Sequence, residues 1–313
     1  MIRKRTVLPP ELAELPELED ARVMACLRDL PQRRVYEIRL NGERAFLKQF
    51  RSGNPEAAVE TTVARLTEVA RVLGQDRNAV AEVLLAIPRA GVLVTHPATG
   101  QPLSRFLSES DPANRARLIA RVGEWLQALA RADLSEGRFG PGYWIKGLDS
   151  RVSAAGHAWI DGELVQRHLA QMQQEGAALR RARVVRARLH GDLTPDNVFY
   201  DPRDGRLTGI DMQEMGEIAL VRDMARMLVW LESRRDHPAG DTIDGIAAED
   251  HRALCESCDL LAPDQRPLLR FMIGEIMLGY YLDCDRQPDR RRLLSRAMQG
   301  WAYAPDTSAS AAS

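Results

Sequence analysis

A β-hairpin near the N-terminus is the local feature that most constrains how this chain can fold. Residues 36–40 alternate apolar and charged side chains, which is the period-two pattern of a half-buried strand. Asn41 and Gly42 supply the left-handed backbone that a two-residue turn requires, and residues 45–50 return as the second strand. We therefore predict an antiparallel hairpin at this place.

The other elements of the N-terminal region are predicted by their apolar spacing. Residues 9–28 carry apolar side chains at mixed helical spacing, which favours one or two short helices. A longer helix is expected to begin at Asn54 and to end near Gly74, because both residue types are common at helix ends. The short apolar runs 83–87 and 91–94 complete a small region that is rich in strands.

Helical patterns dominate the sequence after Asp111. Residues 112–132 and 158–182 place apolar side chains at helical spacing, and helices resume after Val221. We therefore expect an α+β chain with a small strand-rich N-terminal lobe and a larger, mainly helical C-terminal lobe. The predicted divisions are 1–98 for the N-terminal lobe, 95–100 for the hinge, 99–304 for the helical lobe and 305–313 for a disordered tail.

The composition excludes several classes of protein. Hydrophobic residues make up 45% of the chain and charged residues 28%, which is typical of a globular protein. A net charge of −1 creates no field for nucleic acid, so no nucleic-acid partner is expected. The apolar runs are much shorter than the roughly 20 residues of a membrane span. The N-terminus lacks the apolar region of a signal peptide, so we expect a cytoplasmic protein, whose oligomeric state the sequence leaves open.

The four cysteines are expected to be reduced thiols, because they are too few and too irregular for a disulfide framework. Cys255 and Cys258 have a spacing that metal and redox sites use. The sequence offers no second Cys/His pair at a similar spacing, so buried or idle thiols are favoured over a zinc site.

The segment from His190 to Asp211 carries the residues most suited to catalysis. Asp192 is separated by four residues from Asn197, and Asp211 follows after two short apolar runs that flank the turn 201–205. Phosphoryl transfer needs these groups, because one carboxylate must reach the attacking hydroxyl while an amide oxygen and a second carboxylate hold Mg²⁺. The alternative is a polar hairpin in which the Asp and Asn side chains only cap turns.

The segment LHGDLTPDNVFYD, followed by GIDMQE, resembles the catalytic-loop motif of aminoglycoside phosphotransferases and choline-kinase-like enzymes. The resemblance implies a bilobal, protein-kinase-like fold with ATP and Mg²⁺ as cofactors. It implies that Asp192 is the catalytic base and that His190 is a scaffold for the loop. By the same resemblance Asn197 and Asp211 would be the Mg²⁺ ligands, and Asp223 would anchor the catalytic loop.

The resemblance also implies a phosphate-binding lysine on a strand of the first hairpin, where this chain has Lys48. The sequence contains only three lysines against 40 arginines, so a lysine kept in an ordered segment suggests that a compact ammonium is required. Its acidic partner should come from the following helix. Glu60 is the first choice, and Glu56 and Glu68 remain open. The alternative is a strand lysine that only faces solvent.

The run of residues 92–103 resembles the family's interlobe hinge. Adenine would bind there through the carbonyl of His96 and the N–H of Ala98, and Pro97 between them removes no required donor. A plain linker is the alternative, and the choice between ATP and GTP stays open. The loop 29–34 contains no glycine, which weakens a protein-kinase interpretation, and how it covers the phosphates stays open.

The acceptor is expected to be a hydroxyl of a small molecule. The region 236–313 holds thirteen Asp or Glu and eight Arg, which would suit a cationic acceptor such as an aminoglycoside or an amino alcohol. Acidic solvent-facing helices give the same count, and sugar-like acceptors remain open. A nucleotide-binding pseudokinase scaffold and a protein Ser/Thr kinase are the rivals, although ten residues between Asp211 and Arg222 leave little room for an activation segment.

Overall fold

The computed structural model describes residues 7–156, 158–212 and 216–303. The described residues form two compact units. The first unit is drawn from Met1–Leu103 and Asn197–Glu214, and the second from Ser104–Asp196 and Met215–Ser313. The predicted disordered tail, 305–313, lies outside the described residues, and the predicted lobe boundaries stay a prediction.

The helices, in chain order, are α1 (Pro10–Ala13), α2 (Pro55–Leu73), α3 (Leu103–Glu109), α4 (Pro112–Ala130), α5 (Pro141–Ala154), α6 (Gly162–Ala178), α7 (Leu220–Glu232), α8 (Ala248–Glu256), α9 (Arg266–Leu282) and α10 (Pro288–Tyr303). Short 3₁₀ turns cover Pro16–Leu18, Pro88–Ala90, Pro195–Asn197 and Pro263–Gln265.

The strands, in chain order, are β1 (Arg22–Asp29), β2 (Arg33–Leu40), β3 (Glu43–Phe50), β4 (Asn78–Val80), β5 (Val83–Ile87), β6 (Val92–Thr95), β7 (Gln101–Pro102), β8 (Ser135–Arg138), β9 (Arg183–Ala187), β10 (Val198–Asp201), β11 (Arg206–Gly209), β12 (Ile218–Ala219), β13 (Thr242–Ile243) and β14 (Ile246–Ala247).

A five-stranded antiparallel sheet with the order β1-β2-β3-β6-β5 lies in the first unit. The predicted hairpin is confirmed as β2 and β3, with Leu40 paired to Glu43 across the turn. Asn41 and Gly42 have φ angles of 51° and 84°, which is the left-handed geometry that the turn requires. The alternation of the sequence therefore sets the register that places Lys48 on β3.

One face of this sheet carries an apolar core. Tyr36, Ile38 and Leu47 are fully buried there and pack with Leu12 and Leu18 from the preceding turns. Because successive strand residues point to opposite faces, the alternating pattern of β2 puts its charged residues on the other side. Burial of these large side chains supplies most of the driving force that holds the hairpin in place.

The helices predicted over 9–28 are present only as α1 and the 3₁₀ turn Pro16–Leu18. The prediction is wrong for the residues after this turn, because they form β1. Two register shifts interrupt the pairing of β1 with β2. They let Val23 and Cys26, three residues apart, both pack against the core cluster. A bulged strand therefore shows apolar residues at a helix-like spacing, and this misled the sequence prediction.

The long helix of the first unit is confirmed as α2. The Asn54 side chain caps it by accepting the N–H of Ala57 at 3.2 Å, and Gly74 ends it in the left-handed conformation with φ 75°. Val59 and Val69 are buried on its inner face. The helix therefore has the caps and the apolar face that the sequence pattern indicates.

The second predicted hairpin is confirmed as β10 and β11, which pair antiparallel from Val198 opposite Gly209. β4 pairs parallel with β11, and β7 pairs antiparallel with β10, so the hairpin lies inside a four-stranded sheet of the first unit. The N–H of Ile210 donates to the carbonyl of Asn197 at 2.9 Å. This bond brings the two ends of the hairpin together, next to Asp211.

Helices make up most of the second unit, as the sequence pattern predicts. α4 and α6 confirm the helices expected over 112–132 and 158–182. α9 is buried along most of its length and packs against α5, α6, α7 and α10. A three-stranded sheet with the order β12-β9-β8 was not anticipated from the sequence. Among the described residues, each helix is too short or too polar to cross a bilayer.

His168 lies in the core between α6 and α9. Its Nε2 is 2.8 Å from the carbonyl oxygen of Gly274, and its ring centroid is 4.4 Å from that of Trp301. Gly274 allows this packing, because a Cβ there would lie 2.5 Å from a ring carbon of Trp301. Complete burial lowers the pKa of His168 from 6.5 to about 4.

We predict that His168 makes the fold sensitive to acid. The folded chain keeps the ring neutral down to about pH 4, whereas the unfolded chain takes up the proton near pH 6.5, so protonation stabilises only the unfolded state between these values. The free energy of unfolding should fall by about 2 kcal/mol between pH 7 and pH 5 through this group. Urea unfolding at both pH values measures it.

The His168→Gln variant should lose that part of the pH dependence. The exposed His237 provides the matched control, because His237→Gln should keep the wild-type slope. If His168→Gln retains the wild-type difference between pH 7 and pH 5, the buried ring is not the source.

Candidate active site

Asp211 follows β11 and has a strained backbone. Its φ of 53° lies in the left-handed region, which few residues other than glycine adopt and which often marks a functional position. One carboxylate oxygen lies 2.6 Å from Nζ of Lys48, and the other lies 3.3 Å from Nη1 of Arg33. Two cations of the first unit therefore converge on this carboxylate.

Lys48 reaches Asp211 from β3, with 20% of its side chain exposed. Its Nζ lies 4.9 Å from the centroid of the Phe50 ring, so the ammonium is also held over an aromatic face. The structure does not bring the predicted partner Glu60 to Lys48. Glu60 is exposed on α2, and Glu68 on the same helix pairs instead with Arg65 at 3.5 Å.

Arg33 is a site residue that the sequence prediction missed. It is the first residue of β2 and belongs to the sequence stretch 29–34, which lacks glycine. The Leu30 N–H donates to the Arg33 carbonyl at 2.9 Å, and the Arg33 N–H donates to the Leu30 carbonyl at 3.2 Å. These two hydrogen bonds close the loop into a tight turn. The turn places a guanidinium beside Asp211. The signal in the sequence was the arginine itself, in the loop where a protein kinase would have glycines.

Asn197 ends the 3₁₀ turn before β10 and is partly exposed. Its amide oxygen and the Asp211 carboxylate are hard oxygen donors, which is the chemistry that Mg²⁺ prefers. Within the described ranges, no group of three or more His, Cys, Asp or Glu side chains could hold a metal ion. Mg²⁺ sites commonly use one or two carboxylates and complete the shell with water and phosphate oxygens, so the assignment of Asn197 and Asp211 stays a prediction.

The predicted hinge residues follow β6 in the first unit. His96 is exposed, and its backbone N–H donates to the carbonyl of Glu82 at 2.9 Å. In the described part of the chain, neither the His96 carbonyl nor the Ala98 N–H takes part in a backbone hydrogen bond. Gly100 follows with a φ of 79°, and a Cβ there would lie 2.1 Å from the carbonyl oxygen of Tyr200. The backbone therefore passes too close to β10 for any other residue.

The loop that carries His190 and Asp192 is held by a buried carboxylate of α7 in the second unit. Asp223 is fully buried and accepts the N–H of His190 at 2.9 Å and the N–H of Gly191 at 3.0 Å. Burial raises the pKa of Asp223, and the His190 side chain, the Gly191 N–H and Arg226 oppose that shift. His190 is also fully buried, with its ring 6.2 Å from that of Trp125.

Asp192 is partly exposed and lies against a second residue that the sequence prediction missed. Nη1 of Arg226 on α7 is 3.0 Å from its carboxylate, and 36% of the Asp192 side chain remains exposed. The Asp192 N–H points to Nδ1 of His190 at 3.3 Å. Arg226 follows Asp223 by three residues, and residues at this spacing are neighbours on a helix. The predicted anchor Asp223 could therefore have pointed to Arg226 from the sequence.

The profile of the phosphotransferase enzyme family matches residues 9–256. The chain belongs to this family. As a member it is a phosphotransferase, and the resemblance of its catalytic-loop motif is confirmed. No curated protein sequence matches the chain at a significant level.

Solved structures similar to the phosphotransferase include three kinases. Choline kinase LicA from Streptococcus pneumoniae has a TM-score of 0.55 at 16% identity, over 93% of this chain and 96% of that one. Aminoglycoside phosphotransferase APH(4)-Ia has a TM-score of 0.57 at 16% identity, over 91% and 94%. A glucosamine kinase has a TM-score of 0.58 at 14% identity, over 91% and 92%. These likenesses confirm the α+β kinase-like fold.

The cysteines of the phosphotransferase are free thiols in the described chain. Burial raises the pKa of the Cys255 thiol to about 12 and also raises that of Cys258. A thiol with a raised pKa is a poor nucleophile and a poor zinc ligand, because both roles need the thiolate. Cys258 and Cys284 are buried and Cys26 and Cys255 are partly buried, and the preference for idle thiols over a zinc site stays a prediction.

We predict that Asp223→Asn loosens the catalytic loop of the phosphotransferase. The amide has one acceptor oxygen and no charge, so two buried N–H groups lose a charge-assisted acceptor worth roughly 1.5–3 kcal/mol. Hydrogen exchange at His190 and Gly191 should therefore speed up by about tenfold or more. Mass spectrometry of a peptide that spans residues 189–193 measures this change.

Glu232→Gln is the matched control for this experiment. Glu232 is a buried carboxylate of the same helix, but it accepts the N–H of Ala247 at 3.0 Å and does not contact the loop. Exchange should therefore change at Ala247 and not at His190. Unchanged loop exchange in Asp223→Asn would refute the anchoring role.

Proposed function

We propose that this phosphotransferase moves the γ-phosphate of Mg-ATP to a hydroxyl group of a small molecule. The observation that carries the proposal is the 2.6 Å contact between Lys48 and Asp211, which lie 163 positions apart in the sequence. One is the predicted phosphate-binding lysine and the other the predicted metal ligand. Their contact supports a shared role at the phosphates of a nucleotide.

The names of similar structures support the nucleotide and the class of acceptor. The choline kinase LicA has been solved in complex with AMP, and a mutant of APH(4)-Ia in a ternary complex with ADP and hygromycin B. Choline, glucosamine and aminoglycosides all carry hydroxyl groups. A hydroxylated small molecule is therefore the acceptor class that we propose for this chain.

Asn197 and Asp211 would hold the Mg²⁺ ion. The bound ion would neutralise part of the charge on the phosphates. Lys48 and Arg33 would then interact with phosphate oxygens, because both already lie beside the carboxylate that would bind the metal. An arginine is suited to this task, since its planar guanidinium can donate two parallel bonds to a phosphate. Glu60 has no part in this proposal.

Asp192 would orient the acceptor hydroxyl and receive its proton. The acceptor oxygen forms a bond to the γ-phosphorus while the bond from phosphorus to the ADP oxygen breaks, and the hydroxyl proton moves to the Asp192 carboxylate. Arg226 holds a positive charge 3.0 Å from that carboxylate and would fix its orientation. The buried anchor Asp223 would keep the loop still during transfer. The His96 carbonyl and the Ala98 N–H would bind adenine.

Formation of ADP from Mg-ATP, measured across a panel of hydroxylated small molecules, tests the proposed function. We predict that Asp192→Asn retains ATP binding but lowers kcat by about 10²–10⁴-fold, because a general base commonly contributes that much. Single-turnover transfer and binding of an ATP analogue should be measured on one preparation.

Asp241→Asn is the control, because Asp241 is 79% exposed and lies outside the catalytic loop. The control should turn over like the wild type. A loss of less than about tenfold in Asp192→Asn would remove Asp192 from the role of base. ATP binding without acceptor-dependent ADP formation by the wild type would refute the transfer reaction itself.

A further inference from the structure

The helix that anchors the catalytic loop also carries a row of cationic and aromatic residues. Arg222, Arg226, Trp230 and Arg234 follow one another at intervals of four, so they lie along one side of α7 and its C-terminal end. Arg226 contacts the Asp192 carboxylate at 3.0 Å. The row therefore passes the proposed catalytic base at Arg226 and continues to Arg234 within the second unit.

Tyr280 on α9 lies within electrostatic reach of two arginines of this row. The charged groups that act on its phenol are Arg226, Asp192, Arg234 and Arg290. Arg290 comes from α10, and its guanidinium carbon lies 4.8 Å from the centroid of the Tyr280 ring. α7 with its C-terminal end and α10 thus bring three arginines to the surroundings of Tyr280, whose phenol is also influenced by Asp192.

Two of these arginines lack a carboxylate partner. In the part of the chain that the structure describes, the hydrogen bonds of Arg234 and Arg290 go to neutral oxygens, Ser233 Oγ and Gln287 Oε1, both at 3.3 Å. Neither guanidinium forms an ion pair within 4.0 Å among these residues.

The positive charge of Arg290 also acts on the guanidinium of Arg234. Partial burial lowers the pKa of Arg234, and the positive charge of Arg290 lowers it further. Asp192, which acts on Tyr280, already pairs with Arg226, and Asp196, which acts on Arg234, is exposed.

Aromatic stacking holds the cations in place. The guanidinium carbon of Arg234 lies 4.2 Å from the centroid of the Trp230 ring, and that of Arg290 lies over Tyr280. A guanidinium that stacks by its face keeps the N–H donors at its edge available, and those donors match the two oxygens of a carboxylate or phosphate. The arrangement has the chemistry of an anion site.

We propose that the acceptor of this phosphotransferase is a hydroxylated small molecule that already carries a carboxylate or phosphate group, and that Arg234 and Arg290 bind this anionic group. The inference rests on the proposed function, because it takes the surroundings of Asp192 as the acceptor site. It reverses the expectation of a cationic acceptor from the acid count of region 236–313. Choline, glucosamine and aminoglycosides carry amino or ammonium groups, which this cluster would repel.

Binding of matched pyranose probes tests the acceptor class without requiring turnover. Glucosamine, glucose, glucuronate and glucose 6-phosphate share one ring and differ in charge, and equilibrium dialysis gives their Kd values. We expect the carboxylate or the phosphate probe to bind at least about tenfold more tightly than glucosamine. Comparing glucuronate with glucose 6-phosphate tells which anion the site prefers.

Arg234→Gln and Arg290→Gln should each weaken the preferred anionic probe by about tenfold and leave glucose unchanged. Arg252→Gln is the control, because Arg252 is 55% exposed and pairs with Asp241 away from this cluster. Tighter binding of glucosamine, equal binding of all four probes, no binding of any probe, or wild-type affinity in both variants would overturn the proposal.

Transfer is then measured separately, as ADP formation from Mg-ATP with the same four probes. Arginine-dependent binding of the anionic probes, without ADP formation from any of them or from the wider panel, would refute the phosphotransfer proposal and leave the anion site standing. ADP formation that is fastest with glucosamine would support phosphotransfer and overturn the anionic acceptor.

Discussion

The Asp223 carboxylate is the interaction on which the catalytic loop depends. It is buried at a cost in desolvation, and it recovers part of that cost by accepting the N–H groups of His190 and Gly191. The next turn of the same helix carries Arg226, which contacts Asp192. One helix therefore holds the backbone of the loop and the side chain of its proposed base, so both are positioned by the packing of α7 against α9.

Asp211 has a comparable place in the first unit. Its left-handed backbone is maintained where β11 ends, and Lys48 and Arg33 hold its carboxylate from two neighbouring strands. The cations come from rigid elements, so little side-chain ordering is needed when they interact with phosphate. The Arg33 side chain supplies N–H donors at this place. In a protein kinase a glycine-rich loop covers the phosphates, whereas the loop 29–34 contains no glycine.

The sequence predicted those parts of the fold and site that local pattern determines. The Asn41 turn, the caps of α2 and the hairpin after Asn197 follow from short-range rules, and the structure has all of them. β1 could not be recognised, because two bulges replace its alternation with a helix-like spacing. The partner of Lys48 was also beyond local pattern, since a contact between residues 163 positions apart depends on tertiary packing. The acid count over 236–313 pointed to a cationic acceptor because composition does not tell which side chains face Asp192.

The most direct test of the account is the structure of the phosphotransferase with Mg²⁺ and a non-hydrolysable ATP analogue. The account predicts Mg²⁺ at about 2.0–2.1 Å from the oxygens of both Asp211 and Asn197. It also predicts that Lys48 and Arg33 contact phosphate oxygens rather than the Asp211 carboxylate alone. Phosphates bound elsewhere, or a metal held without Asp211 and Asn197, would contradict the central claim that these residues form the phosphotransfer site.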